Sequence, residues 1–326
     1  MSLHSPIGSH KPHSPNPQIS KALNPLKPLS RVQRRSVETS ASVALETPEQ
    51  IVYQHSVLCQ TSLPYRDPGP AVRTWERKQG AVFLRLEAGH ARHPETQEWV
   101  PIGLPFGPKP RLILAHLNTE ALKTQSPKID IGDSFTAFVR RIQNYRPNGH
   151  QIRAFKTHLG SLSASIIRIA MQTDRRSFQV DSKIVTAFDL WFPKDESQRV
   201  LWPSTIHLSL DYFDSLQKHA VPLDERALAG LAHSSMALDI YTWLAQRLHR
   251  VPRRQPQFIA WATLKDQFGA GLGQMCHFKH YFRVALGQVL AFYPAAKVEG
   301  DGRGLTLYDS APPVKKRLVL VHKSQG

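Results

Sequence analysis

The cysteines and histidines of the chain are the first candidates for chemistry, because together they could ligate a metal ion. Cys276 and His280 are four residues apart and would share one face of a helix, which supplies half of a tetrahedral zinc site. The other half is missing, because the second cysteine, Cys59, lies far away in the sequence and has no ligand-like neighbour. We therefore expect no bound metal and no cofactor.

Glycine-rich segments that could cradle phosphates are the next candidates. Residues 103–109 end in Gly-Pro-Lys, whereas a phosphate loop needs Gly-Lys-Ser/Thr at the start of a helix. Pro108 and Pro110 flank the lysine and remove backbone donors, so a rigid entry into the following helix is the better interpretation. The glycines within residues 269–273 lack the strand–helix–strand unit of a dinucleotide site and are expected to form a turn.

The remaining signs of catalysis are equally weak. No segment marks a nucleophile elbow, and Tyr212, Tyr241 and Tyr281 lie at helical spacings typical of packing residues. Two histidines separated by one apolar residue would indicate a DNA-nicking relaxase, and the sequence contains no such triplet. We predict that the protein is not an enzyme.

The charge of the chain points to a polyanionic partner. Its formal net charge is +17, from 42 Lys and Arg against 25 Asp and Glu. Nucleic acid is the first such partner, and an anionic membrane surface is the second. No apolar run approaches the roughly 18 residues of a membrane span, and Pro, His and Ser dominate the N-terminus instead of a signal peptide's apolar core. We expect a cytoplasmic, DNA-binding protein with no membrane partner.

A helix predicted at about residues 151–171 concentrates this charge opposite its apolar face. Phe155, Leu159 and Leu162 begin the apolar side, which continues through Ile166 and Ile169. Small and basic residues on the other side would let the helix approach a DNA groove closely. The predicted DNA contacts on this helix are Arg153, Lys156, Thr157, Ser161 and Arg168.

A second helix, predicted at 274–292, has the same division between Phe278 and Phe282 on one side and basic residues on the other. The predicted contacts on this helix are His277, Lys279, His280 and Arg283. In or beside the two predicted hairpins, contacts to phosphates or to the minor groove are expected from Arg175, Arg176, Lys297 and Arg303. One amphipathic basic helix would be a weak signal, but two in the same context favour DNA recognition.

The elements that must position these residues occur in one order, twice. In the first half we predict helices at about 111–123, from Ser134 to about 141 and at 151–171, a short strand at 129–131 and a hairpin at 177–192. In the second half we predict helices at 224–232, 235–249, from a Thr263 cap to Phe268 and at 274–292, a strand at 258–261 and a hairpin at 297–308.

This order predicts a helix-rich α+β fold with two tandem winged-helix domains. The predicted divisions are a disordered basic arm at 1–50, winged-helix domains at 51–200 and 201–312, and a basic tail at 313–326. Each domain is expected to have its own hydrophobic core.

Several segments resemble plasmid-encoded RepA replication initiators of bacteria. The N-terminal part of the resemblance is Leu58–Arg66, and the most specific part is Gly103–Leu114 with the sequence GLPFGPKPRLIL. The C-terminal part is Phe278–Arg283 with the sequence FKHYFR, followed by Tyr293 and Pro294. The resemblance extends over about residues 55–313 and leaves the basic arm outside it.

This resemblance implies binding of double-stranded DNA at plasmid origin repeats, opening of the duplex, and recruitment of host replication initiator and helicase proteins. It also implies control of copy number, with repression of the protein's own promoter, and a homodimer is a further expected partner state. Two alternatives remain: a transcriptional repressor with the same fold, and a DNA-nicking enzyme.

Overall fold

The computed structural model describes residues 39–43, 45–92, 96–130, 137, 139–141, 148–173, 176–182, 184–188 and 205–314, which form a mixed α/β structure. Its first elements are β1 (Ile51–His55), α1 (Ser56–Gln60), β2 (Thr74–Gln79), β3 (Val82–Glu87), β4 (His90–Arg92), β5 (Trp99–Pro101), α2 (Pro108–Thr124), β6 (Lys128–Asp130), α3 (Gly149–Ala164), β7 (Ile166–Thr173), β8 (Arg176–Ser182), β9 (Val185–Phe188), β10 (Thr205–Leu208) and α4 (Leu210–His219). The remaining elements are β11 (Ala220–Asp224), α5 (Glu225–Leu231), α6 (Ser235–Arg247), a 3-10 turn (Leu248–Arg250), β12 (Gln257–Ala260), α7 (Trp261–Phe268), α8 (Met275–Phe292), β13 (Val298–Gly300) and β14 (Gly304–Leu307).

Two three-stranded antiparallel sheets have the same internal order. In the first, β10 lies between β6 and β9, and in the second, β14 lies between β12 and β13. In both sheets, the strand that comes first in the chain, β6 or β12, pairs with the strand that comes last, β10 or β14. We name α2, α3 and the first sheet the first unit, and α6, α7, α8 and the second sheet the second unit.

A four-stranded sheet, in the order β2–β3–β7–β8, corrects two predictions. The helix predicted to reach residue 171 ends at Ala164, and the chain continues as β7. The hairpin predicted at 177–192 does not form, because β8 pairs with β7 whereas β9 pairs with β10. The alternation in residues 177–188 identified strands correctly and assigned them the wrong partners.

Helix α3 stops where serines and β-branched residues replace good helix formers. The Ser165 hydroxyl donates to the Ser161 carbonyl at 2.7 Å while the backbone of Ser165 turns extended. Ile167 and Ile169 then bury against β3, whose Leu84 and Leu86 pair with them. Pairing with β3, which lies far away in the sequence, therefore accounts for β structure where the last turns of the helix were predicted.

The remaining helix boundaries follow from local signals. Helix α2 begins at Pro108 because prolines fit the first helical turn, where a missing N–H loses no hydrogen bond. It ends after Thr124, where Gln125 is left-handed with φ of 52°. Helix α7 begins at Trp261, so Thr263 lies inside it and is not the cap that we predicted. The predicted Ser134 cap lies outside the described residues.

The first strand of the described chain ties both units together. Strand β1 pairs antiparallel with β11, from Ile51 opposite Asp224 to His55 opposite Ala220. Residues 39–43 are helical, and the Arg226 guanidinium donates to the Ser42 carbonyl at 3.2 Å and to the Glu46 carbonyl at 3.0 Å. The last part of the predicted arm is therefore bound to the folded body.

The boundary predicted at residue 200 is also displaced by this arrangement. Strand β10 follows that boundary and yet completes the sheet of the first unit. The buried side chains of both units also form one continuous hydrophobic cluster, from Val52 to Leu307. The described residues therefore have one continuous hydrophobic core that both units share.

A buried ion pair joins α2 to α6 across the two units. The Arg111 guanidinium binds both carboxylate oxygens of Asp239, at 2.7 and 2.8 Å. It also donates to the carbonyls of Leu63 at 2.8 Å and Gly107 at 2.7 Å. Burial raises the pKa of Asp239, and the guanidinium opposes that effect. Nearly all donors of Arg111 are therefore satisfied inside the protein.

Arg111→Met is expected to lower the free energy of unfolding by about 3–5 kcal/mol, because Asp239 is left buried without its partner. The double variant Arg111→Met/Asp239→Leu should recover most of that loss, since neither charge is then buried alone. Urea denaturation measures both values. The matched control is Arg253→Met, because the exposed pair of Arg253 and Asp309 at 3.1 Å should contribute less than about 1 kcal/mol. Equal destabilisation by the two single variants would contradict this assignment.

His55 is a second buried polar group at the junction. Its Nδ1 accepts the Val57 N–H at 3.2 Å, so the ring proton is on Nε2, which donates to Ser215 Oγ at 2.9 Å. Burial lowers the pKa of His55 to about 3, and His219 nearby adds to the effect. The folded protein therefore holds this imidazole neutral.

Acid should destabilise the protein through His55. The unfolded chain takes up a proton at the ordinary pKa of 6.5 and the folded chain only at about 3, so the stability is complete above 6.5 and is lost as the pH falls through this window. From about pH 7.5 to about pH 5, wild type should lose about 2 kcal/mol more than His55→Gln. Denaturation curves at both pH values measure this difference. Parallel losses in the two proteins would refute the assignment.

Candidate nucleic-acid interface

Helix α8 holds one face in the core and presents the other to solvent. Phe278, Phe282 and Val289 are completely buried, whereas His277, His280 and Arg283 are exposed as predicted. Lys279 is half-buried at the edge between the two faces. Helix α8 contains no acidic residue, so its outer face is electropositive.

A cluster around the turn between β13 and β14, residues 301–303, fixes the cations of α8. The buried Trp261 side chain donates from Nε1 to the Asp301 carbonyl at 3.0 Å. Lys279 Nζ donates to the Gly302 carbonyl at 3.0 Å, and Arg283 donates to the Asp301 carbonyl at 3.4 Å. Both cations also lie over the Trp261 ring, at 5.6 and 5.1 Å from its centroid. The turn and the helix therefore form one rigid basic surface.

The turn contributes a further exposed cation. Asp301 accepts the backbone N–H groups of Arg303 at 2.7 Å and Gly304 at 2.8 Å, and these bonds lower the pKa of its carboxyl. The Arg303 guanidinium lies 3.3 Å from Asp301 and 5.8 Å from the centroid of the exposed Phe258 ring. Lys297 is exposed at the other end of β13, and its backbone N–H donates to Ser310 Oγ at 3.0 Å. Arg303 thus joins the cluster, and Lys297 lies at the far end of the strand.

Helix α3 is open to solvent only in its first half. A capping box begins it, in which the Asn148 side chain accepts the Gln151 N–H and the Gln151 side chain accepts the Asn148 N–H, both at 2.9 Å. Arg153 and Thr157 are exposed, as is His150 one turn earlier. Ser161 is only 8 % exposed and donates to the Thr157 carbonyl, which corrects its predicted place on the outer face.

Lys156 and Arg168 occupy different positions from those predicted. Lys156 is half-buried, and burial lowers the pKa of its ammonium group. Arg168 lies on β7 and not on α3, next to Arg85 on β3. It forms an ion pair with Glu87, which also binds Arg85 at 2.7 Å. Glu87 therefore offsets much of the positive charge that Arg168 was expected to offer to DNA.

The structure does not describe the side chains of two predicted DNA contacts, Arg175 and Arg176. Arg175 lies outside the described residues, and Arg176 is placed only as the first residue of β8, opposite Thr173. His150 on α3 and Trp261, which binds the β13–β14 turn, were not among the predicted site residues. The Asn148-Gly-His-Gln151 capping box could have revealed the true start of α3 and with it His150. No local signal could have placed Trp261 against the β13–β14 turn.

The other flank of α8 borders a groove of about 610 Å³ between the two units. Tyr281 and Val284, each 51 % exposed, form its α8 side, and Tyr65 and Trp75 line the opposite side. Helix α8 is thus divided between a basic flank beside the β13–β14 turn and an apolar flank beside the groove.

Metal-binding clusters and membrane-spanning helices are both absent from the described part of the chain. It contains no group of three or more His, Cys, Asp or Glu side chains placed to hold a metal ion. The exposed Cys276 instead lies 3.6 Å, sulfur to oxygen, from Gln274 Oε1. None of the described helices is both long and apolar enough to span a membrane.

Comparisons with known proteins give one family match and two similar solved structures. No curated protein matches the chain. Two crystal structures of RctB are similar to it. The structure of domains 2-3 has a TM-score of 0.44 and 9% sequence identity, and the match covers 77% of this chain and 94% of that chain. The structure of the selenomethionine derivative of domains 2 and 3 has a TM-score of 0.44 and 9% sequence identity, and the match covers 76% of this chain and 95% of that chain. The sequence model described as "Plasmid encoded RepA protein" matches residues 104–263, which include all of the GLPFGPKPRLIL segment except Gly103. Over these residues the chain is similar to plasmid-encoded RepA proteins.

Proposed function

We propose that the protein is a replication initiator that binds repeats of a plasmid origin as double-stranded DNA and opens the adjacent duplex. The observation that carries this proposal is the cluster in which Lys279, Arg283 and Arg303 surround the β13–β14 turn at the edge of α8. Such a surface pairs a helix that fits the major groove with cations that reach phosphates beside it. The family adds the identity of the DNA.

Both units are proposed to be winged helices, in which α3 and α8 are the recognition helices. The support is the common strand order of the two sheets, with β9–β10 and β13–β14 in the places of the wings. In this arrangement a recognition helix enters the major groove and the wing contacts the neighbouring backbone. Arg153 and Thr157 on α3 and His280 and Arg283 on α8 are the side chains best placed to reach base edges.

A footprint on DNA that flanks the gene tests the proposal. Direct repeats are expected, together with permanganate-reactive thymines in a neighbouring A/T-rich segment when the protein is added to supercoiled plasmid. Protection of an inverted repeat without reactive thymines would indicate the alternative, a repressor. Cleavage of supercoiled plasmid in the presence of magnesium would contradict our proposal that the protein is a non-catalytic binder.

Arg283→Ala should weaken binding to a footprinted repeat by about 1–3 kcal/mol, because a guanidinium on the outer face of α8 can bind a guanine edge. Fluorescence anisotropy at fixed salt measures the change. The matched control is Arg253→Ala, since the exposed Arg253 precedes β12 and pairs with Asp309, beyond the end of β14, so its loss should leave the affinity unchanged. A loss of thermal stability with normal affinity would place Arg283 in a structural role.

Arg153→Ala and Arg168→Ala should differ, although the sequence alone predicted the same role for both. Arg153 is exposed on α3, so its loss should weaken binding and lower the salt slope by about one. Arg168 is paired with Glu87, so its loss should change neither quantity. Titrations at several salt concentrations measure both slopes. Both substitutions belong in the intact chain, because the continuous core prevents the halves from being tested separately.

A further inference from the structure

Strands β4 and β5 form a small antiparallel ribbon whose exposed face carries an unusual side chain. His90 pairs with Pro101 and Arg92 pairs with Trp99, and all four residues are exposed. Trp99 is 70 % exposed, although a tryptophan on a protein surface normally hides most of its ring. Large aromatic side chains that are held in solvent in this way typically mark a contact with a partner.

The ribbon is held rigidly at its root. The Arg73 guanidinium donates to three backbone carbonyls there, those of Ala88 at 2.9 Å, Gly89 at 2.8 Å and Ile102 at 3.0 Å. The Ile102 N–H also donates to the Gly89 carbonyl at 3.0 Å. Arg73 therefore fixes the direction of the ribbon without help from a hydrophobic core.

That root lies against the end of α3. Gly89 packs so closely on Ala164, the last residue of α3, that an added Cβ would lie 1.9 Å from the Ala164 carbonyl oxygen. The segment after the ribbon also follows the helix, because the Phe106 and His158 rings meet edge to face with centroids 5.2 Å apart. The ribbon is thus anchored to the same helix that the proposed function places in a DNA groove.

We propose that the β4–β5 ribbon is an additional DNA-contacting element, which applies Trp99 and Arg92 to the duplex beside the stretch read by α3. This inference rests on the proposed function. A two-stranded ribbon fits a DNA groove, and an aromatic ring next to a guanidinium suits stacking on bases and sugars. Arg92 is oriented for this by a hydrogen bond from Nε to the Gln97 carbonyl at 3.0 Å. None of the paired residues of the ribbon is acidic.

The test uses the full-length protein and a labelled duplex that contains one footprinted repeat with one helical turn of flanking DNA on each side. Trp99→Ala should bind this duplex about 5- to 20-fold more weakly, and Trp99→Phe should restore most of the affinity. The matched control is Leu210→Ala, which removes a side chain that is 68 % exposed on α4 and should leave affinity unchanged. Thermal unfolding of Trp99→Ala should match wild type, because the ring lies largely in solvent.

Hydroxyl-radical footprinting gives a second measurement. Trp99→Ala should lose protection at one end of the site only, while protection by the second unit remains. If Trp99→Ala binds and protects like wild type while Arg283→Ala is weakened, the ribbon proposal is wrong and the proposed function stands. If the wild-type protein protects no DNA sequence from cleavage, the proposed function is wrong, and the ribbon proposal that rests on it is wrong as well. If Trp99→Ala loses only self-association or binding to another protein, the ribbon is a protein contact and the proposal is overturned.

Discussion

The buried ion pair of Arg111 and Asp239 is the constraint on which the rest of the structure depends. The ion pair joins α2 of the first unit to α6 of the second. Both side chains are buried, so each charge is tolerated only while the other lies within hydrogen-bonding distance. The same guanidinium binds the Leu63 and Gly107 carbonyls, which fixes the segments that enter α1 and α2. One side chain therefore sets the relation of the two units and the path of the chain between them.

The other connections between the units support this ion pair. Strand β1 reaches across to β11, and the Ser62 hydroxyl and Gln60 carbonyl bond to Gln267 at 3.1 and 2.8 Å. Because these contacts link residues far apart in sequence, the two proposed recognition helices are held at a fixed separation. Under the proposed function, a fixed separation would make the binding of the second helix intramolecular once the first is bound, which would raise the affinity for a DNA site of matching length.

Charge on the surface is organised by pairing as much as by sequence. On the outer face of the four-stranded sheet, Arg85 and Arg168 share Glu87, and Arg85 also binds Glu76. Around the β13–β14 turn, backbone carbonyls bind Lys279 and Arg283, and these neutral groups leave the positive charge intact. Equal numbers of cations can therefore yield a neutral face in one place and an electropositive face in another. A count of the basic residues in the sequence does not distinguish a neutral face from an electropositive face.

The sequence alone determined the features that depend on local periodicity and composition. The apolar spacing identified α2, α5, α6 and α8, and the glycines of residues 300–304 identified the β13–β14 hairpin. The outward placement of His277, His280 and Arg283 followed from the same periodicity, because a helix that buries one face must expose the other. The resemblance to plasmid-encoded RepA proteins was most specific in the GLPFGPKPRLIL segment, and the family match covers residues 104–263.

Tertiary structure decided the features that depend on a partner from elsewhere in the chain. Ile166 and Ile169 continue an apolar helical pattern, yet pairing with β3 places them in a sheet, and Arg168 moves with them to Glu87. Ser161 has the outward helical position of a DNA contact and is nevertheless buried. Strand pairing and burial are set by contacts between distant residues, which no local pattern encodes. The sequence therefore determined which helices are amphipathic and basic, and the fold decided which of their residues are exposed.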